Sequence, residues 1–207
     1  MTEVTALVIG SLDDCMRGLD RAALAEVIRS PTLAVLVDSA REARSPFVWL
    51  VDSGAVPAEG ALGSLLDAEA ELAVSLPVDA GGRPVETLVG RFTETDVPAI
   101  LLAASMHRVP LRHTYVTSLL ARRDIVIAES PPNSARFGRY AGPEWTSRLF
   151  SRRPGMLVPR SRVRAPVMEP GHPLHAIRMS RTGLWGRGEA LLELHRSMVG
   201  RFTGSAA

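Results

Sequence analysis

The stretch FVWLVDSGAVPAEGALGSLLDA, residues 47–68, is the most informative part of the chain. It begins with an apolar run that ends on Asp52, turns through Ser53 and the next residue, and continues past Pro57 into a segment rich in alanine and leucine. A short run that is apolar on both faces is typical of a central strand in a parallel sheet. Proline just before the apolar segment, with Glu59 in the first turn, favours a helix start. We therefore predict a strand, a turn and a helix, with a carboxylate at the end of a buried strand.

The composition sets the size and class of the fold. With 207 residues, 46% of them hydrophobic, the chain can bury one substantial core. Alternating strand and helix patterns over this length predict an α/β architecture. The single cysteine, Cys15, excludes a disulfide or a cysteine-based metal site within one chain. No apolar run reaches about 18 residues and no basic segment precedes an apolar one at the N-terminus, so we expect a cytoplasmic protein.

The charge is distributed unevenly along the chain. Residues 1–103 contain 7 arginines and 16 acidic residues, a net charge of −9, whereas residues 104–207 contain 17 arginines and 6 acidic residues, a net charge of +11. A basic half could face phosphates or an anionic membrane, and equally the two halves could attract each other within the fold. Aromatic residues are only 5% of the chain and no nucleic-acid-binding module is recognisable, so we expect no nucleic-acid partner.

The remaining segments extend the strand and helix pattern on both sides. We predict strands at residues 4–10, 71–78, 83–90 and 155–163, the last an edge strand broken by Pro159. Helices are predicted at residues 11–30, 58–70 and 142–153. Residues 97–105 and 114–126 are strands or short helices, and residues 164–173 are a proline-rich loop. Residues 32–40 are either a buried strand ending at Asp38 or the start of a helix, because periodicity does not separate the two in so short a run.

The C-terminal residues 175–202 have a basic amphipathic helical pattern interrupted by glycines. We expect a main domain over residues 1–170 and a basic helical extension over residues 171–207. The extension could lie against the inner face of an anionic membrane as a peripheral contact, or pack its leucines on the core or on a partner subunit.

Several short motifs occur in an order that resembles a known family. They are VWLVDSGAVPAEGALGSLL (48–66), VDAGGRPV (78–85), VTSLLARRDIV (116–126), AGPEWTSR (141–148), LVPRS (157–161) and RMSRTGLW (178–185). In this order and spacing, over roughly residues 44–186, the chain resembles glycosyltransferase family 2, the inverting enzymes of GT-A fold. Within that family it looks most like the galactofuranosyl- and rhamnosyl-transferases of the bacterial envelope.

The resemblance implies a GT-A-like fold, which is a mixed, mostly parallel sheet flanked by helices. It also implies transfer of a sugar from a UDP- or dTDP-linked donor to an envelope glycan or a lipid-linked acceptor. The N-terminal half is shortened relative to the family, because residues 5–52 leave room for one strand–helix unit where about two are usual. If residues 32–40 form a strand, Asp38 takes the uracil or ribose position.

The family's metal site is incomplete in this chain. The resemblance implies that Asp52, Ser53 and Gly54 contact the nucleotide sugar. Asp52 matches the first aspartate of a motif that also binds a Mg²⁺ or Mn²⁺ ion, whereas Ser53 and Gly54 replace the following aspartates. Divalent ions of this kind bind through carboxylates and substrate phosphates, so one carboxylate with a hydroxyl neighbour makes a poor ligand set.

The general-base motif is depleted in the same way. Aligned on the family pattern, its two aspartates become Ala141 and Gly142, and Glu144 is the remaining acid. Three further residues are candidates for phosphate or acceptor contacts: Trp145, Arg148 and Arg178.

Three functions follow from this pattern. The first is a catalytically impaired relative that serves as a binding or assembly partner of an active envelope glycosyltransferase, or that forms a homo-oligomer. The second is a working, metal-independent transferase in which arginines replace the ion as phosphate clamps. The third is a nucleotide or phosphate sensor that binds a donor and turns nothing over.

Overall fold

The computed structural model describes residues 3–10, 19, 24–85, 88, 105–165, 177–179, 181 and 195. Its strands are β1 Val4–Ile9, β2 Glu26–Ser30, β3 Phe47–Asp52, β4 Val56–Pro57, β5 Leu72–Val78, β6 Val109–Leu111, β7 Ser118–Arg122 and β8 Gly155–Arg164. Its α-helices are α1 Leu36–Glu42, α2 Ala61–Leu66, α3 Arg123–Ile127, α4 Ser134–Phe137 and α5 Ala141–Arg152. Short 3-10 turns cover Leu33–Val35 and Gly138–Tyr140.

The strands form one mixed sheet in the order β2-β1-β3-β7-β5-β8-β4, with β6 pairing the first residues of β8. β1 is parallel to β2 and to β3, and β5 is parallel to β8. The other pairings are antiparallel and shorter than or equal in length to the parallel ones. The predicted α/β class and mixed sheet are therefore confirmed.

Helices cover the sheet on both faces. On one face, Leu50 of β3 belongs to a core cluster that includes Leu36 of α1 and Trp145 of α5. On the other face, Trp49 of β3 belongs to a cluster that includes Leu65 of α2. Consecutive residues of β3 thus enter opposite cores, which explains why the sequence is apolar at every position of this strand before Asp52.

Residues 26–30 form a strand, so the helix predicted over residues 11–30 is wrong at its C-terminal end. Each residue of β2 pairs in register with a residue of β1, from Thr5 opposite Glu26 to Ile9 opposite Ser30. Main-chain pairing with a buried strand outweighs the helical spacing of a few apolar residues, and β-branched Val27 and Ile28 suit a pleated strand. Two strands therefore precede β3, where the sequence leaves room for one strand–helix unit.

The open choice for residues 32–40 is decided in favour of a helix. Leu36, Val37 and Ala40 of α1 are buried, while the side chains of Asp38 and Arg41 lie on the exposed face and form an ion pair. Asp38 is therefore not at the end of a strand, and it does not occupy the nucleotide position that the strand interpretation implies.

Strand β8 lies inside the sheet rather than at its edge, so that prediction is wrong. It pairs with β5 on one side and with β6 and β4 on the other. The register shifts between Ser75 and Leu76 of β5, whose partners are Val158 and Arg162 of β8. Pro159 lies in this irregular stretch, where the ladder requires no N–H from it.

The other predicted elements are found with shorter bounds. The strand at 71–78, the helices at 58–70 and 142–153, and a strand with a following short helix at 114–126 are all present. Among the described residues of the second strand predicted at 83–90, Pro84 forms a bridge with Val78, and residues 86, 87, 89 and 90 lie outside the described residues. The predictions for residues 97–104 and for most of 166–207 lie outside the described residues, although Met179 packs against Tyr115 and Tyr140 in a third cluster.

A chain of buried hydroxyl groups crosses the middle of the sheet. Trp49 Nε1 donates to Ser118 Oγ at 3.0 Å, and the Oγ atoms of Ser118 and Ser75 are 2.7 Å apart. Ser75 Oγ lies 2.8 Å from Ser161 Oγ, which donates to the carbonyl oxygen of Ala61 at 2.9 Å. Because the indole only donates and the carbonyl only accepts, every serine hydroxyl in the chain donates its hydrogen bond in the direction of Ala61. This hydroxyl chain joins β3, β7, β5 and β8 to the first residue of α2.

We expect Ser75→Ala to lower the free energy of unfolding by about 1–3 kcal/mol, because two buried hydroxyls lose a partner. The measurement is urea unfolding followed by circular dichroism. Ser151→Ala, on an exposed hydroxyl bonded within α5, is the matched control and should stay within about 0.5 kcal/mol of the wild type. Equal effects of the two substitutions would contradict a structural role for the hydroxyl chain.

Candidate functional site

The candidate site lies where the sheet reverses its strand order. β1 has β2 on one side and β3 on the other, and all three strands are parallel. The connections from β1 and β2 therefore lead to opposite sides of β1, which opens a crevice at the carboxyl ends of the strands. In open α/β sheets, ligands bind in the crevice at such a switch point.

A cavity of about 290 Å³ occupies this crevice. Ile9 and Asp52, which are register partners at the ends of β1 and β3, contribute to its wall. The described residues that line it are Ile9, Leu33, Asp52, Tyr115, Val116, Thr117, Ser134, Gly138, Arg139 and Gly142. The predicted strand-end carboxylate thus faces a cavity together with residues from the second half of the chain.

Asp52 is held by main-chain hydrogen bonds. Its N–H donates to the carbonyl oxygen of Thr117 at 3.1 Å, and its Oδ1 accepts from the N–H of Gly54 at 3.1 Å. Burial raises the pKa of the Asp52 carboxyl above its ordinary value, and the hydrogen bond from Gly54 opposes this rise. The carboxylate is therefore oriented but incompletely compensated.

Ser53 and Gly54, predicted to contact the nucleotide, shape the turn after β3 and are absent from the cavity wall. The N–H of Ser53 donates to the carbonyl oxygen of Ile9 at 2.9 Å. Gly10 has a φ of 103°, and a Cβ atom built on it would lie 2.7 Å from Ser53 Oγ. Only glycine fits at position 10, because both its conformation and the close serine disfavour a side chain.

The loop at residues 113–117 is a part of the site that the sequence did not reveal. Thr146 Oγ1 of α5 accepts from the N–H of Thr114 at 3.0 Å and lies 2.8 Å from the carbonyl oxygen of the same residue. This buried contact fixes the loop on the helix, and the loop then supplies Tyr115, Val116 and Thr117 to the cavity. Threonine at 114 and 146 resembles any helix or loop residue in the sequence, so no local signal marks this pairing.

Arg139 is a second lining residue that the sequence did not single out. It lies in the 3-10 turn before α5, with its guanidinium carbon 5.0 Å from the ring centre of Tyr140 and 5.9 Å from that of Tyr115. Distances below about 6 Å over an aromatic face are favourable for a guanidinium. A half-buried cation is thereby placed in the wall of the same cavity as Asp52.

Gly142, the position aligned with the family's general base, lines the cavity with Asp52. A Cβ atom built on Gly142 would lie 3.4 Å from a methyl group of Val116, which is ordinary contact. Glu144 is absent from the cavity wall, and its carboxylate accepts from Arg148 Nε at 2.9 Å. Glu144 thus does not take over the place of residue 142, because the two residues lie on different faces of one helix.

The candidate acceptor residues are engaged elsewhere. Trp145 has no exposed surface and belongs to the core, so a sugar cannot stack on it. Arg148 forms ion pairs with Glu144 and with buried Glu129, which ties the loop after α3 to α5. Arg178 Nη1 donates to the carbonyl oxygen of Arg136 at 3.0 Å. None of the three lines the cavity.

The lining residues do not fit a divalent ion. Asp52 is the one carboxylate among them, and no group of three histidine, cysteine or acidic residues lies together in the described part of the chain. Mg²⁺ and Mn²⁺ prefer several oxygen ligands, and the nearby Arg139 adds a positive charge of its own. The cavity can accept hydrogen bonds at Asp52 and attract an anion at Arg139.

No protein-family model and no curated protein matches the chain. Among solved structures, TarS of S. aureus matches with a TM-score of 0.53 at 13% identity, over 98% of this chain and 44% of that one. A197 from STIV matches with a TM-score of 0.51 at 9% identity, over 81% of this chain and 87% of that one. A structure of TarS residues 1–349 in complex with UDP-GlcNAc matches with a TM-score of 0.45 at 10% identity, over 98% of this chain and 73% of that one. This chain spans less than half of full TarS.

Identities this low show a shared fold and nothing finer. The protein has a GT-A-type glycosyltransferase fold, which confirms the predicted fold class. No helix among the described residues is long and apolar enough to span a membrane.

The raised pKa of Asp52 makes a prediction about stability. An aspartate in the unfolded chain titrates near 3.8, and the folded carboxyl titrates higher. Between these two values the native state binds more protons than the unfolded state, so stability falls as the pH rises through that window. We expect Asp52→Asn to be more stable than the wild type at pH 7, with a difference that disappears towards about pH 3.8.

The measurement is urea unfolding over a pH series. Asp67→Asn, at a carboxylate whose side chain is 71% exposed, is the control and should stay within about 0.5 kcal/mol of the wild type at pH 7. A wild type that is more stable than Asp52→Asn at pH 7 would mean that the ionised carboxylate is compensated in the fold.

Proposed function

We propose that the protein is a glycosyltransferase-like protein that binds a nucleotide sugar in the switch-point cavity and is impaired in sugar transfer. One observation carries the proposal. The positions that the family resemblance assigns to the nucleotide contact and to the general base, Asp52 and Gly142, line one cavity, and the second has no side chain.

Donor binding is supported by the chemistry of the cavity. The half-buried carboxylate of Asp52 suits the hydroxyl groups of a ribose, because each hydroxyl can donate to it. Apolar side chains from Ile9, Leu33 and Val116 offer a surface for the flat face of a base. TarS, which shares the fold, has been crystallised with UDP-GlcNAc. A UDP- or dTDP-linked sugar is therefore the ligand class that we assign.

Impaired transfer follows from the missing base. An acceptor hydroxyl loses its proton as it attacks the anomeric carbon, and a base must lie within hydrogen-bond reach of it. Gly142 has nothing to offer at the aligned position, and Glu144 is bound to Arg148.

A protein that binds a donor without turnover suits the role of an assembly partner of an active envelope glycosyltransferase, or of a nucleotide sensor. The second candidate is an active, metal-independent transferase, and the cation in the cavity wall favours it, because an arginine can stabilise a leaving phosphate. Turnover separates the two candidates.

The deciding experiment is calorimetric titration of the full chain with UDP and dTDP, followed by a transfer assay with the corresponding sugar nucleotides. The proposal expects binding of at least one diphosphate and little or no release of diphosphate from the sugar nucleotide. Rapid turnover would favour the active enzyme. Absence of binding to both nucleotides would overturn the proposed ligand class.

Gly142→Asp tests the missing base directly. The site has room for a Cβ, and an acid in the first turn of α5 is compatible with the helix dipole. We expect a gain of about 10²-fold or more in transfer or donor hydrolysis over the wild type, within the usual contribution of a general base.

Gly142→Asn is the matched control, since it has the same shape and cannot accept a proton at neutral pH. It should leave the rate at the wild-type level. Equal rates for both variants would show that position 142 is not where the reaction needs a base.

A further inference from the structure

The cavity contains a cation that neither the motifs nor the family resemblance assign. Among the described residues that line it, Arg139 is the one that is basic, and it shares the wall with Asp52. Any diphosphate bound there carries at least two negative charges next to a carboxylate. Some positive group has to offset this repulsion, and the lining carboxylates do not suffice to hold a divalent ion.

The neighbours of Arg139 restrict its side chain. Its guanidinium lies close to the rings of Tyr140 and Tyr115, at 5.0 and 5.9 Å from their centres. Tyr140 is fully buried and Tyr115 is 7% exposed, so both rings belong to the rigid core beside the cavity. A guanidinium that is already ordered loses little conformational entropy when it binds an anion.

We propose that Arg139 takes the place of the divalent ion and holds the diphosphate of the ligand. This role rests on the proposed nucleotide binding. Arg139 is then the group that makes the binding independent of a metal ion. A guanidinium is planar and always charged, and it donates two parallel N–H groups to two phosphate oxygens. It therefore supplies both the charge and the orientation that an ion would otherwise supply.

Two other arginines in the described part of the chain, Arg148 and Arg29, lie outside the cavity wall. Arg148 is held between Glu129 and Glu144. Arg29 lies at the end of β2, and its Nε donates to the carbonyl oxygen of Gly10 at 2.8 Å. Neither of these arginines lines the cavity.

The test compares UDP with uridine on the full chain, in EDTA and in Mn²⁺. The wild type should bind UDP equally well in both conditions. Arg139→Ala should weaken UDP binding by about 10- to 100-fold, as expected for the loss of hydrogen bonds to a charged group, and should leave uridine binding unchanged. The UDP affinity of Arg139→Lys should lie between those of the wild type and Arg139→Ala, because lysine keeps the charge and loses the two parallel N–H donors of the guanidinium.

Arg136→Ala is the matched control. Arg136 lies three residues earlier, also near an aromatic ring, at 5.1 Å from the centre of Phe137, and it does not line the cavity. The Arg136→Ala variant should bind UDP with the affinity of the wild type. Thermal unfolding of each variant shows whether a loss of binding comes from a loss of fold, and Arg139→Lys keeps the test valid if the alanine variant is unstable.

The outcomes separate this inference from the proposed function. UDP binding that requires Mn²⁺, or that persists in Arg139→Ala within about twofold, overturns the role of Arg139 and leaves nucleotide binding standing. Loss of uridine binding together with UDP binding in Arg139→Ala assigns that residue to the shape of the cavity and overturns its role at the diphosphate. A wild type that binds neither UDP nor uridine overturns both proposals.

Discussion

The placement of β1 between two parallel strands is the constraint on which the site depends. All six residues of β1 are buried or nearly so, and its main chain pairs with β2 on one side and β3 on the other. Because the two neighbours lie on opposite sides, their connections diverge at the carboxyl edge. The crevice there exists whatever side chains line it. The side chains of Asp52, Arg139 and Gly142 then determine which chemistry the crevice can perform.

In the proposed function, the cavity binds a donor and has no base for sugar transfer. It has an acid that can accept hydrogen bonds and an ordered cation, whereas the position aligned with the base is a glycine. These residues come from two parts of the chain, and each is held by a different contact: a main-chain turn at Asp52, two tyrosine rings at Arg139, and the start of α5 at Gly142. In the proposed function, binding and transfer are therefore separable by single substitutions.

Some charged residues of the acidic and basic halves of the chain form ion pairs with each other in the fold. Glu71, from the acidic half, pairs with Arg122 and Arg153, and Asp67 pairs with Arg160, all from the basic half. These pairs are exposed, and each contributes little to stability. The attraction between the two halves is therefore visible in the structure at Arg122, Arg153 and Arg160.

The sequence alone determined the α/β class, the strand that ends at Asp52 and the helix at residues 141–152, because hydrophobic periodicity and turn chemistry are local signals. Tertiary structure decided the rest. Residues 26–30 form a strand because they pair with β1, and Asp38 lies on the exposed face of a helix. Trp145 lies in the core, and Arg148 belongs to an ion-pair network. Arg139 entered the site through contacts between residues distant in sequence, and such contacts leave no periodic trace in the chain.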